Sequence, residues 1–331
     1  MPDRDGAGQR VVVIGPGRMG LGIALSFALN RVGVAFVDVK ERSAPEYKRV
    51  VEKARDELRA NMKLLKRVGY TDLNPKDVLP QISFSRGITK EHLSGRCIFE
   101  ALPEKPDLKI RLFREISPFI NPRTVVASTT STIDIKTLAK GLTHPERLVI
   151  THWLNPAFII PVVEVAYADA TDPGALRRTT RLLKSIGKVP VTLKDSPGFI
   201  IPRIQAGAMN EAVRILEEGV ASAEEIDKAI RYGFGFRLSV FGLLEFIDLG
   251  GLDILYYADD FLYSAYQSER FKAPNMIAEK MKRGETGPRT GKGIYDYKGK
   301  NVKVLFERKY RALIEVLKAM RNTPLKEGDR W

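Results

Sequence analysis

The sequence predicts an α/β fold: a domain with a mostly parallel sheet over residues 1–195, then an all-helical domain over 196–331. Three observations predict it. Short apolar, β-branched runs alternate with helical patterns up to about residue 195, as in parallel strands joined by crossover helices. The first such unit closes around a glycine-rich turn, GPGRMG. Beyond KDSPGF only helical periodicity follows, up to a loop ending at Tyr297. A chain of 331 residues, 44% hydrophobic and 28% charged, can bury cores of this size without staples.

Each element follows from local pattern. Val11 to Ile14 reads as a strand, a helix follows the glycine turn to about Arg31, and Val34 to Val37 is a second strand ending at Asp38. A long charged helix covers 45–68, with short strands near Ile82–Phe84 and Cys97–Glu100. Pro106 opens a helix to about Ile120. TVVAS is a buried strand leading into the polar turn TTST; RLVITHWL, VVEVAY and VPVTL are further strands, with DPGALRRTTRLLKSIG a helix between the last two. At KDSPGF, Ser196 can cap a helix whose first position is Pro197, running to about Glu218. Helices are expected over 222–232, 239–247, 250–266 and 273–283. GPRTGKGIYDY reads as a loop with a short terminal strand, and an extra helix over about 302–320 precedes a polar tail within 301–331.

Composition narrows the functional classes. The formal net charge is +14, but Lys and Arg are scattered over helix faces, as in KLLKRVGY and ALRRTTRLLK. With no zinc-finger spacing and no RNP-type motif, the pattern argues against nucleic acid. A single cysteine, Cys97, excludes internal disulfides and fits a reducing, cytoplasmic setting. The polar start MPDRDGAGQR lacks the apolar core of a signal peptide. No apolar run reaches membrane-spanning length.

GPGRMG places Gly15, Gly17 and Gly20 in the G-x-G-x-x-G spacing between a strand and a helix. Gly15 allows the tight turn, Gly17 lets a pyrophosphate approach the backbone, and Gly20 lets strand and helix pack closely. Arg18 and Met19 open the helix, whose free N–H groups suit phosphate. Asp38, at the end of the second strand, can accept from both ribose hydroxyls and would repel a 2′-phosphate, favouring NAD over NADP; Lys40 and Arg42 soften that preference.

Oxidation of an alcohol by NAD needs a base for the hydroxyl proton, and a neutral imidazole suits it. Of three histidines, His92 lies in a polar surface stretch and His144 in a loop before proline. His152 lies at the carboxyl end of an apolar strand, where ligands of such sheets bind. If NPAFIIP makes a turn, Glu164 returns beside His152 and fixes its tautomer. Asn155 and the hydroxyls of STTST, Ser128 to Thr132, supply polar groups that hold a substrate oxygen or cap the next helix.

GPGRMG, Asp38, STTST, HWLNP, Glu164, KDSPGF and TGKGIYDY together resemble the L-3-hydroxyacyl-CoA dehydrogenases, from about Arg10 to Tyr297 and in the same order. The resemblance implies a Rossmann-like NAD domain, a hinge near DSPGF, and a helical C-terminal domain that forms a homodimer. It implies His152 as catalytic base, Glu164 as its orienting acid, and Ser131 and Asn155 at substrate and nicotinamide. It places further NAD contacts on Glu104, Lys109 and Arg289, and a role in fatty acid metabolism; composition and hydropathy, as above, argue for no membrane and no nucleic-acid partner.

Three departures bear on substrate. Pro202 stands where the family often has a substrate-placing asparagine. GFGFRLSVFGLLEF replaces the usual PMGPFEL pattern, and Arg237 to Glu245 look closer to the lambda-crystallin, or L-gulonate 3-dehydrogenase, branch. The family's CoA contacts fall near Glu57 and Leu64, neither a good match, although Lys63, Lys66 and Arg67 are close by. The leading expectation is a short 3-hydroxyacyl-CoA such as 3-hydroxybutyryl-CoA. The alternative is a free 3-hydroxy acid such as L-gulonate or L-carnitine, with Arg237 or another arginine of the cleft clamping its carboxylate. A catalytically retired structural or binding protein is the alternative of another class.

Overall fold

The computed structural model describes residues 10–95, 97–121 and 123–322. The chain divides into two compact units between Ala208 and Met209. That division lies beyond the composition boundary at 195/196 and inside a helix, for a reason the site makes plain.

The first unit is one eight-stranded sheet in the order β3-β2-β1-β4-β5-β6-β7-β8. Its strands are β1 (Val11–Ile14), β2 (Val34–Asp38), β3 (Ile82–Arg86), β4 (Cys97–Glu100), β5 (Val125–Ser128), β6 (Leu148–Trp153), β7 (Val162–Tyr167) and β8 (Val189–Lys194). The first six run parallel; β7 turns back antiparallel to β6, and β8 is parallel to β7. The helices are α1 (Arg18–Leu29), α2 (Ala44–Arg67), α3 (Pro75–Val78), α4 (Pro106–Ile116), α5 (Ile135–Ala139) and α6 (Pro173–Ser185).

Strand β1 is buried on both faces, which is why it reads as a continuous apolar run. Val11 and Val13 join Ile23, Phe27, Leu58 and Leu183 in one core, while Val12 and Ile14 join Leu112, Phe113, Ile135 and Leu138 in the other. Cys97 is buried in β4, where burial raises its thiol pKa and leaves it inert.

The second unit begins within α7 (Ile201–Glu217) and continues with α8 (Ala223–Ala229), a π-type turn over 230–234, α9 (Gly235–Leu238), α10 (Leu243–Gly250), α11 (Leu252–Tyr266), α12 (Asn275–Lys282) and α13 (Val302–Asn322). Buried Asp248 ties its closing loop, accepting from the N–H groups of Ile294 and Tyr295 and from the Tyr297 hydroxyl. The last part of the tail, 323–331, lies outside the described residues.

Four expectations need correction. Helix α7 begins at Ile201, not Pro197, because Gly198 (φ +77) and Phe199 (φ +45) are left-handed and cannot continue a helix. The helix expected over 222–232 passes into the π-type turn after Ala229. The one expected over 239–247 starts at Leu243, after a turn at Ser239–Gly242. GPRTGKGIYDY holds no strand, only the isolated bridges Gly287–Lys292 and Lys292–Asp296, because its N–H groups turn inward to Asp248.

Candidate active site

The carboxyl ends of β1, β2, β4, β5 and β6 carry the polar groups of the first unit. At β1 the backbone turns sharply: Gly15 has φ +114, and a Cβ there would lie 2.5 Å from the Ala101 carbonyl oxygen. A Cβ on Gly20 would lie 2.2 Å from the Gly15 carbonyl oxygen, so close packing excludes any other residue. Gly22 packs against Ala157, where a Cβ would come within 3.0 Å.

Gly17 is different. It N-caps α1 at an ordinary φ of −90 with no side-chain cap, α1 has no acid in its first turn, and a Cβ on Gly17 would meet nothing within 4 Å. The space over Gly17 is therefore open, and the uncapped donors of Arg18 and Met19 suit an anion. The turn fits the pyrophosphate of a dinucleotide.

Asp38 ends β2, 5% exposed. Its carboxylate accepts from the Lys40 N–H at 3.1 Å and from Arg42 Nε at 2.5 Å.

Beyond β4 lies a group that the sequence reading missed. Glu100 ends that strand fully buried and takes Lys109 Nζ at 2.8 Å and 3.0 Å, the Leu102 N–H at 2.6 Å and the Ser128 hydroxyl at 2.6 Å. Lys109, also fully buried, lies 3.4 Å from Glu104. Glu104 in turn gathers the turn after β5, accepting from Thr130 Oγ1, from the Ser131 N–H at 2.9 Å and from the Thr132 N–H at 3.1 Å. Burial opposes its ionisation, but these donors and Lys109 outweigh it and hold its carboxyl below the usual carboxylate range.

Lys109, expected at the cofactor, lies behind Glu104 in this structure. Its ammonium is enclosed by Glu100, Glu104 and the Leu102 carbonyl, so it shapes the site by fixing Glu104. The sequence signal was a charged residue closing an apolar strand nine residues before a lysine. The hydroxyls of STTST do not cap α5; Asp134 does, accepting from the Thr137 N–H at 2.7 Å. Ser131 itself is exposed.

The pair anticipated from sequence forms. The β6–β7 register sets His152 directly opposite Glu164, and Nδ1 lies 2.8 Å from Glu164 Oε2. His152 is 7% exposed and Glu164 1%. Nε2 of His152 has no partner among the described residues. The other oxygen of Glu164, Oε1, accepts from the N–H groups of Ile200 and Ile201, both at 2.9 Å. One carboxylate thus orients the imidazole and caps helix α7. That cap is why the start of α7 belongs to the first unit. Phe199 lies against His152, ring centroids 5.3 Å apart.

Asn155 is exposed at the start of the β6–β7 loop, before a cis peptide to Pro156. Lys188 clamps that loop: its ammonium donates to the carbonyl oxygens of Ala157 at 2.6 Å and Ile160 at 2.8 Å, 5.7 Å from the Trp153 ring centroid. Burial without a carboxylate partner lowers its pKa to about 8. Neither Ser131 nor Asn155 hydrogen-bonds His152.

Arg237 and Arg289 belong to the second unit. Arg237 stacks on Phe246 at 4.7 Å and donates to the Gly233 carbonyl; exposed Arg289 lies 3.5 Å from Asp253. On α2, Glu57 is half-buried and Lys66 bonds Asn74. Among the described residues no His, Cys, Asp and Glu cluster could hold a metal, and no helix is long and apolar enough to cross a membrane.

Comparison with known proteins agrees with this layout. Residues 10–196 match the family described as 3-hydroxyacyl-CoA dehydrogenase, NAD binding domain, and residues 198–297 match its C-terminal domain. Helix α13 lies beyond both. The chain is 32% identical over 309 residues to 5-formyl-3-hydroxy-2-methylpyridine 4-carboxylate 5-dehydrogenase of Mesorhizobium japonicum, covering 93% of this chain and 97% of that protein. It is 30% identical over 285 residues to a probable 3-hydroxybutyryl-CoA dehydrogenase of Deinococcus radiodurans, covering 86% and 99%. The crystal structure of a 3-hydroxyacyl-CoA dehydrogenase from Archaeoglobus fulgidus is similar with a TM-score of 0.75 at 30% identity, covering 94% and 99%.

Proposed function

The chain belongs to the 3-hydroxyacyl-CoA dehydrogenase family, and from that premise we propose that it reversibly oxidises the 3-hydroxyl of a short L-3-hydroxyacyl-CoA, such as 3-hydroxybutyryl-CoA, to the 3-ketoacyl-CoA. The observation that carries this reading is the buried His152–Glu164 pair with Nε2 left free. NAD, when bound, supplies the hydride acceptor at the nicotinamide C4.

His152 is the base. Glu164 holds the proton on Nδ1, so the lone pair sits on Nε2, which takes the substrate hydroxyl proton as the ketone forms. Glu164 then faces the imidazolium at 2.8 Å and compensates its charge. Ser131 and Asn155 place the substrate oxygen and the nicotinamide carboxamide. Gly15, Gly17 and Gly20, with Arg18 and Met19, hold the pyrophosphate, and Asp38 holds the ribose. Glu104 keeps the Ser131 turn in place, and Lys109 keeps Glu104.

The test is NAD reduction with 3-hydroxybutyryl-CoA, 3-hydroxybutyrate, L-gulonate and L-carnitine. Thioester turnover supports the reading. Turnover of the free acids alone favours the second reading, a dehydrogenase of a carboxylate-bearing hydroxy acid. Two observations support that alternative: the Mesorhizobium relative is named for a carboxylate without CoA, and α2 offers Glu57 and Leu64 where CoA contacts are expected.

A homodimer through the second unit fits its surface. Ile254, Tyr257 and Phe261 on α11 are 61%, 64% and 72% exposed and share one helix face. Sedimentation at micromolar concentration checks it: a dimer is expected, and a monomer would refute it.

A further inference from the structure

The ribose end of the cofactor site departs from an acid that simply awaits two hydroxyls. Asp38 already holds a cation. Arg42 Nε lies 2.5 Å from Oδ2, and Asp38 is the one carboxylate partner of Arg42 among the described residues. The β2–β3 register then sets Arg86 directly beside Asp38, with the Gly87 N–H on the Asp38 carbonyl at 2.8 Å. An Arg86 Nη donates to the Arg42 carbonyl, which brings the two guanidinium-bearing segments together. Arg86 and Lys40 have no carboxylate partner among the described residues.

These groups line one open cleft of about 640 Å³ over residues 38–43, Glu46, Arg86 and Gly87. Its acids are Asp38, Glu41 and Glu46; its cations are Lys40, Arg42 and Arg86. Glu46 lines the cleft with its carboxylate engaged in the capping box, accepting from the Ser43 N–H at 2.7 Å and the Ser43 hydroxyl at 2.8 Å. Asp38 is neutralised by Arg42. What remains to meet a ligand is Lys40 and Arg86 against one acid, the exposed Glu41, a set that is positive on balance.

We propose that this site takes a 2′-phosphorylated ribose as well as a plain one, so that NADP is used beside NAD, and that Arg42 sets the balance. The inference rests on reading the glycine turn as a dinucleotide cradle. A lone carboxylate at the end of β2 discriminates by repelling the 2′-phosphate. Here Arg42 cancels that repulsion, and its planar fork, with Arg86 alongside, can donate to phosphate oxygens. Plain ribose is not excluded, because each Asp38 oxygen has a second lone pair for a hydroxyl while Arg42 stays in place.

The experiment is equilibrium titration of NADH and NADPH by fluorescence on the intact protein and on Arg42→Ala and Arg42→Lys, with circular dichroism to confirm folding. In the unaltered protein NADPH should bind within about thirtyfold of NADH. Arg42→Ala should weaken NADPH about tenfold or more, the loss of a charge-assisted contact, and move NADH less than about threefold. Arg42→Lys should recover part of the loss. A wider NADPH gap in the unaltered protein, or an unchanged NADPH-to-NADH ratio in Arg42→Ala, overturns the proposal. Failure of both nucleotides to bind would instead overturn the cradle reading beneath it.

Discussion

Replacing Glu164 by glutamine tests the site at its most constrained point. The side chain keeps its shape but loses its charge and one acceptor. In the native protein both oxygens accept: Oε2 from His152 Nδ1, Oε1 from two backbone N–H groups at the start of α7. Glutamine has one oxygen and one NH2, so it cannot satisfy both sides. If its oxygen keeps the helix, its NH2 faces Nδ1 and forces the proton onto Nε2, removing the base. If its oxygen keeps the histidine, the NH2 opposes two N–H donors and the α7 cap is lost.

A charge-assisted bond of this kind is worth about 1.5–3 kcal/mol, and the wrong tautomer adds to that. A barrier increase of about 2–4 kcal/mol follows, or roughly 30- to 1000-fold in kcat. The assay is steady-state NAD reduction, run with NADH titration and thermal unfolding. Expected are a large fall in kcat, NADH affinity within about threefold, and a midpoint lowered by a few degrees through the damaged cap. A kcat within threefold of the native value would refute the idea that Glu164 sets the imidazole.

The remaining predictions bear on base, cradle and clamp. His152→Gln should retain NADH binding and lose about 10²–10⁴-fold in turnover; unchanged turnover removes His152 from the chemistry. Gly15→Ala and Gly17→Ala should separate folding from binding. The first puts a Cβ 2.5 Å from the Ala101 oxygen at φ +114 and should destabilise the fold by about 2–4 kcal/mol, read in urea unfolding. The second fills only open space and should leave stability unchanged while weakening NADH about tenfold or more. Equal stabilities for the two variants would contradict the geometry.

Lys188 gives a pH test. Burial lowers its pKa from 10.5 to about 8. Between pH 8 and 10.5 the unfolded chain then holds more of this proton than the folded one, so the lysine's contribution to stability is full above pH 10.5 and is lost as pH falls through 8. The neutral amine still has N–H groups for the Ala157 and Ile160 carbonyls. The urea midpoint of the native protein should therefore gain on that of Lys188→Met as pH rises from 8 to 10; a constant difference refutes the assignment.

Much of this was legible in the chain because the signals are short-range. Strands buried on both faces advertise themselves as apolar runs, and the glycine spacing reports backbone clashes that the Gly15 and Gly20 geometry bears out. The late start of α7 was hidden, since Ser196 and Pro197 are sound helix-opening residues, and only the left-handed Gly198 and Phe199 delay it. Phe199 carries no sequence mark of that conformation, because a bulky residue at positive φ is held there by its surroundings. Glu100 and Lys188 were missed for a related reason. Both are charged residues within or beside apolar runs, and burial is decided by partners far along the chain: Ser128 for one, Ala157 for the other.

The same long-range pairing explains why a histidine and a glutamate tolerate this sheet at all. Had β7 followed β6 through a crossover helix, the two strands would run parallel and Glu164 would not face His152 at this spacing. The antiparallel return brings the side chains onto one face at directly opposed positions, His152 with Glu164, flanked by Thr151 with Val165 and Trp153 with Val163. A slip of one residue would turn Glu164 to the other face, among hydrocarbon and away from both the imidazole and the α7 donors. Since β6 is buried along its whole length, apolar patterning alone does not choose the register. The polar groups choose it, because only one alignment gives the buried carboxylate its three donors, and an unsatisfied carboxylate there would cost several kcal/mol. The arrangement that we propose for catalysis is thus also what aligns the reversed part of the sheet.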